Sequence, residues 1–124
     1  MKARREQARA RGTAAEWFAT LWLALKGYRI LARQFRARGG ELDVVALTPR
    51  WNSSPTIVFV EVRTRGTLAQ AISSVDDAKK QRIGRAARQF CARRPGLRHL
   101  PQRYDLVVLA EAGWPRHIRD AWRT

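Results

Sequence analysis

Residues 56–65, TIVFVEVRTR, constrain this chain more than any other stretch. Ile57, Val58, Phe59 and Val60 follow one another directly, just after a loop rich in Pro, Asn and Ser. A short β-branched and aromatic run bounded by turn chemistry reads as a buried strand. Yet the same strand carries Glu61 and, two positions on, Arg63. Side chains alternate along a strand, so Glu61 and Arg63 share a face with Phe59, while Val58, Val60 and Val62 point the other way.

The neighbouring segments supply that strand's partners. YRILARQFR, from Tyr28, alternates as a half-buried strand, RARGG turns, and ELDVVAL is a second strand. The loop TPRWNSSP then leads into the third strand, residues 56–64. Short connections make the three an antiparallel meander. A fourth strand lies in RYDLVVLA, and RHIRDAW offers a weak fifth.

Helices flank the strands. Ala14, Trp17, Phe18, Leu21, Trp22 and Leu25 recur at helical spacing, which predicts a first helix with that stripe against the core, stopped by Gly27. The basic lead-in, residues 1–11, is expected to be frayed or loosely helical. A second helix is predicted to start at Ser74, with Asp77 completing a capping box, and to bury Ile83, Ala86, Ala87, Phe90 and Cys91. The predicted order is α-β-β-β-α-β, within one α/β domain covering residues 1–124.

Composition limits the partners. The 124 residues hold 25 Lys and Arg against 10 Asp and Glu, a net charge of +15. That balance favours polyanions, nucleic acid first and an anionic membrane second. A coding bias towards arginine is the alternative source of the charge. One cysteine, Cys91, cannot form an internal disulfide, and His99 and His117 are too isolated to suggest a metal cluster. A reduced, cytoplasmic setting fits. The apolar run after the basic N-terminus is interrupted by Glu16 and is shorter than the ~20 residues of a membrane span. No cleavage signal follows it, so a mature helix is expected rather than a targeting segment.

On the second strand Glu41, Asp43 and Val45 share a face, so strand pairing can bring Asp43 close to Glu61. Two carboxylates on a hydrophobic sheet repel each other and lose hydration, a cost that a divalent cation would relieve. Taken singly, either carboxylate could instead form a solvated ion pair with Arg63 or another arginine.

These residues carry a resemblance. GGELDVVAL…VFVEVRTR is similar to the G-E-[IL]-D-L-[IV] and V-F-V-E-V-[KR]-x-R signature of the uncharacterised YraN-like bacterial family. GTAAEWFA, KGYRILARQFR, KKQRI…AA and RYDLVVL resemble its remaining segments, over about residues 12–109. That family looks like a relative of the archaeal Holliday junction resolvases, in the restriction-endonuclease-like superfamily.

The resemblance implies a restriction-endonuclease-like core and Mg²⁺ or Mn²⁺ bound by Asp43 and Glu61, with Glu16 completing the site. It implies hydrolysis of DNA phosphodiester bonds, and a homodimer by analogy. Arg63 stands where active members usually carry lysine; it cannot accept a proton but can fork onto phosphate oxygens. Helical phasing sets Glu16 nearly opposite the apolar stripe, so either the helix is buried on more than one side, as Ala15, Ala19 and Leu23 allow, or Glu16 is a surface acid. Lys80, Arg82 and Arg65 are candidate contacts to the nucleic-acid backbone. Trp51 is expected to pack over the sheet, Asp76 and Asp77 to serve a helix N-terminus, and Asp105 to pair with an arginine. The competing readings are a catalytically inactive nucleic-acid-binding module and a basic adaptor for an acidic protein partner.

Overall fold

The computed structural model describes residues 2–64, 66–109 and 114–123, with side chains from residue 14 onward. Helix α1 (Lys2–Leu25) leads into β1 (Arg29–Ala37), β2 (Gly40–Leu47) and β3 (Ile57–Arg63). Helices α2 (Leu68–Ser73) and α3 (Asp77–Ala92) then cross to β4 (Gln102–Val108), and β5 (Arg116–Trp122) closes the chain. The five strands form one sheet in sequence order, antiparallel except for the parallel β3–β4 pair. The order of the predicted elements is compatible with a restriction-endonuclease-like core, extended by α2 and β5.

The strands divide the interior in two. Ile57 and Phe59 face α3, packing with Ile83, Ala86, Ala87, Phe90 and Cys91. Val58 and Val60 face α1, with Val44, Ala46, Ala19 and Leu23. The α3 stripe is the predicted one. Phe90 meets Phe35 and Phe59 edge-on, with centroids 5.2 and 6.4 Å away, and truncating it to alanine would cost about 3–5 kcal/mol. The β1–β2 turn is pinned to α3: Gln89 donates to the Arg38 carbonyl and accepts from its N–H. Gly40 allows that approach, because a Cβ there would overlap the Arg82 carbonyl.

Three expectations about the helices are corrected. First, α1 is turned over. Ala19, Thr20 and Leu23 are buried against the sheet, whereas Trp17, Phe18, Leu21 and Leu25 are exposed and Trp22 is half-buried. Small residues let the helix lie close over Val44, Ala46, Val58 and Val60, where bulky side chains would hold it away. Second, the helix starts at Lys2, so residues 2–11 continue it, as their Ala, Arg, Lys, Gln and Glu favour. Third, two helices replace the one predicted from Ser74. Thr67 and Gln70 form a capping box on α2, Ser74 closes it, and Asp76 caps α3 by accepting from Lys79 N–H at 2.8 Å.

Gly27 ends α1 at φ +95°, a left-handed conformation suited to glycine. Trp51, although largely exposed, lays its ring where a Gly27 Cβ would stand. It thus packs over the α1–β1 turn rather than the sheet.

Candidate functional site

The ladder between β2 and β3 runs from Leu47 opposite Ile57 to Val44 opposite Val60. Beyond that point Asp43 takes the place of the backbone partner: its Oδ2 accepts from Val62 N–H at 2.8 Å. The carboxylate therefore sits in the opening between two diverging strands. Glu61 approaches it from the α3 side of β3, within hydrogen-bonding reach. Glu16 approaches from α1 and also reaches Asp43. The inversion of α1 that exposes Trp17 thus turns Glu16 inward, against the sequence phasing.

Crowding these acids together has an electrostatic consequence. Burial, then the charge of Asp43, push the Glu61 carboxyl up to about 8, against the opposing pull of Lys79 and Arg63. Burial and Asp43 likewise raise Glu16 to about 7. Each carboxyl near Asp43 therefore holds a proton more tightly than it would in water. Glu16 Oε2 is buried with no hydrogen-bond partner, as is Arg63 Nε.

Cations stand on one side of the group. Arg63 lies 3.4 Å and Lys79 Nζ 3.6 Å from Glu61 Oε1. Lys79 is in the first turn of α3, where the helix dipole disfavours a positive charge, and its approach to Glu61 offsets that. Nothing in the sequence pattern singles out this lysine from its neighbour Lys80. Gln34 was missed as well. It lies in β1 at φ +49°, beyond a register shift between Ile30 and Ala32, and its side chain stands near enough to Glu16 to pull that carboxyl's pKa down. The signal available was a break in the alternation of β1.

Lys80 and Arg82 lie away from the carboxylates, on the outer side of α3. Lys80 lines an open groove with Arg85, Arg88 and Arg123, and Arg82 lines another with Arg36, Arg85 and Glu41. Arg85 lines both grooves, and Asp77 and Glu41 also border them. Arg65 lies outside the described residues.

A second buried polar group lies on the α1 side of β4. Asp105 is fully buried and accepts from Arg103 Nε and a terminal guanidinium nitrogen, both at 2.8 Å. It also accepts from Asp120 N–H at 2.9 Å and from His117 Nε2 at 2.7 Å. With Nε2 donating, His117 Nδ1 accepts from Lys26 Nζ at 2.7 Å. Arg103 also donates to the Tyr28 hydroxyl. Burial alone would raise the Asp105 carboxyl, but the bonds from His117, Arg103 and Asp120 together hold it below its usual range. His117, read from the sequence as isolated, is thus part of a network; the Asp105–arginine pairing is as expected.

The chain is similar to known proteins over most of its length. Residues 15–109 match the model of the uncharacterised protein family UPF0102. The chain belongs to that family. It is 45% identical to the UPF0102 protein of Maricaulis maris, over 95% of this chain and 89% of that one. The relative from Paramagnetospirillum magneticum is 48% identical, over 95% and 91%. That from Methylorubrum extorquens is 45% identical, over 97% and 90%. The UPF0102 match spans α1 to β4, so Glu16, Asp43, Glu61 and Lys79 all fall inside it.

As a donor set, Asp43, Glu61 and Glu16 suit a hard divalent cation, which prefers carboxylate oxygen. The orphaned Glu16 oxygen and the mutual repulsion around Asp43 fit such an occupant. Among the described residues, no three His, Cys, Asp or Glu side chains already stand in ligating positions around one point. Part of the reason is visible: Asp43 Oδ2 is engaged by Val62, and Glu61 by Arg63 and Lys79. None of the described helices is long and apolar enough to cross a membrane.

Proposed function

We propose that this UPF0102 protein binds DNA and hydrolyses its phosphodiester bonds with Mg²⁺ or Mn²⁺ held by Asp43, Glu61 and Glu16. The observation that carries the reading is the placement of Asp43 in the β2–β3 opening with two proton-retaining glutamates against it. When bound, such a cation makes water a stronger nucleophile and offsets charge on the phosphate oxygens. Asp43 fixes the depth of the site through Val62 N–H. Arg63 remains protonated and forks onto phosphate oxygens, a role its unpartnered Nε leaves open. Lys80, Arg82 and the arginines between their grooves hold the DNA backbone, with Arg65 as a further contact. Resemblance to junction resolvases adds a homodimer.

One observation favours a second reading. Glu61 already has two cationic neighbours, Arg63 and Lys79. They offset part of the site's negative charge, as a catalytically inactive nucleic-acid-binding module would need.

The deciding experiment measures cleavage of labelled duplex, single-stranded and four-way-junction DNA with Mn²⁺ or Mg²⁺. Wild type is compared with Asp43→Asn and Glu61→Gln, and binding is followed in EDTA over a salt series. Cutting by wild type alone supports the nuclease. Equal, salt-sensitive binding by all three without cutting supports the inactive module. Weak, salt-insensitive DNA binding favours an adaptor for an acidic protein, since phosphate contacts weaken steeply with salt.

A further inference from the structure

Among the described residues no other element packs on the outer face of α1, where the Arg33 guanidinium lies over the Trp17 ring at 3.6 Å from its centroid. Trp17, Phe18, Leu21 and Leu25 remain 56, 52, 60 and 78% exposed on a helix whose other face is packed on the sheet. Ala14, Phe18, Leu21 and Leu25 are spaced four, three and four apart, the seam along which two helices pack at a shallow angle. Residues 13–25 contain a single charge, Glu16, and it is turned inward. Nothing in the seam itself therefore selects an acidic partner.

From this geometry we propose that a second copy of the chain docks here, α1 against α1 across a two-fold axis. The open area is on the order of 500 Å² per copy, at the upper end of what a monomer leaves exposed. Pairing two copies would bury about 1,000 Å², the lower bound for a specific interface. The helices run antiparallel, because a parallel pair would set the basic segments of residues 2–11 side by side. Each copy carries +15, but at physiological salt charges are screened beyond ~8 Å, and the seam is uncharged. The dimer should accordingly tighten as salt rises, opposite to any nucleic-acid complex. It would also clamp the helix that presents Glu16.

The proposed function already includes a homodimer, and this inference adds the surface on which it forms; because the test needs neither DNA nor metal, its failure is distinguishable from that of the nuclease reading. Sedimentation of the full chain at micromolar concentrations, in low and high salt, is compared with Leu21→Glu and Leu21→Lys. Leu21 is exposed, and circular dichroism checks that both variants remain folded. The expected result is a wild-type dimer that salt strengthens, weakened at least ~tenfold by both substitutions. A monomer under all conditions overturns the proposal, as does a dimer indifferent to both variants. Leu21-dependent binding of a monomeric chain to anionic phosphatidylglycerol vesicles overturns it in favour of a lipid surface.

Discussion

Asp43 and Asp105 are aspartates on strands of the same sheet, and they are provided for in opposite ways. Asp105 receives hydrogen bonds from Arg103, His117 and Asp120, so its charge is matched within the fold. Asp43 has one backbone donor and two acids for neighbours. A carboxylate that only supports the fold can be surrounded by donors at no cost to anything else. A group of carboxylates left in mutual repulsion stores a requirement that something from outside can meet. The contrast predicts that the Asp105 network holds the fold, and that the Asp43 group weakens it until it is occupied.

The largest expected effect is therefore at Asp105. Asp105→Ala would leave the Arg103 guanidinium, His117 and Asp120 N–H without their acceptor. Breaking one side of a buried pair in this way costs about 3–5 kcal/mol. Urea unfolding measures it, and a loss below ~1 kcal/mol would mean that β5 is held by packing rather than by this network. Asp43→Asn under the same metal-free conditions should be neutral or stabilising, since it relieves both glutamates.

Next comes pH, where the two centres act with opposite sign. A carboxyl whose folded pKa is raised makes the folded state bind the extra proton, so it weakens the fold as pH rises. For Glu61 that loss begins near its ordinary 4.5 and is complete above about 8; for Glu16 it is complete above about 7. The lowered Asp105 does the reverse. Its contribution is present above the ordinary 3.8 and disappears as pH falls through its lower folded value. Metal-free protein should lose roughly 4 kcal/mol between pH 5 and pH 9, and Glu61→Gln should remove most of that slope. A wild-type stability that is flat over this range would show the carboxylates to be relieved already by Arg63 and Lys79.

Occupancy sharpens the same contrast. At pH 8, Mn²⁺ at 100 times its dissociation constant should stabilise wild type by about 2.7 kcal/mol. It should also release protons and leave Asp43→Asn unaffected. Equal stabilisation of both proteins would place the cation elsewhere.

How much of this was readable in the sequence follows from which forces act locally. Alternation along IVFVEVR assigned each residue of β3 to its face, and the stripe Ile83, Ala86, Ala87, Phe90 and Cys91 assigned the inner face of α3. Asp43 and Glu61 were legible because an antiparallel pair fixes which residues meet. The orientation of α1 was not. Its largest apolar residues form the more conspicuous stripe, yet contact with a flat valine-rich sheet selects Ala19, Thr20 and Leu23. Lys79 and His117 depend on contacts across the fold, and no local pattern announces those.

The smallest effects concern the two strained residues, one in each centre. Gln34 and Asp120 hold φ of +49° and +53°, a conformation that costs about 1–2 kcal/mol for a side chain other than glycine. Asp120 is a residue type that tolerates it, and its backbone N–H serves Asp105. Glycine at 120 would keep that N–H in place and lose only the exposed pair with Arg123, so Asp120→Gly should change stability by less than ~0.5 kcal/mol. Glutamine gains little from the conformation beyond its approach to Glu16. Gln34→Gly should relieve strain and remove that approach together, leaving stability within ~1 kcal/mol of wild type while raising the Glu16 pKa. Titration of Glu16 by NMR separates the two contributions. An unmoved pKa with a clear gain in stability would make the strain at Gln34 incidental; a raised pKa would show that β1 is bent to hold Glu16 against Asp43.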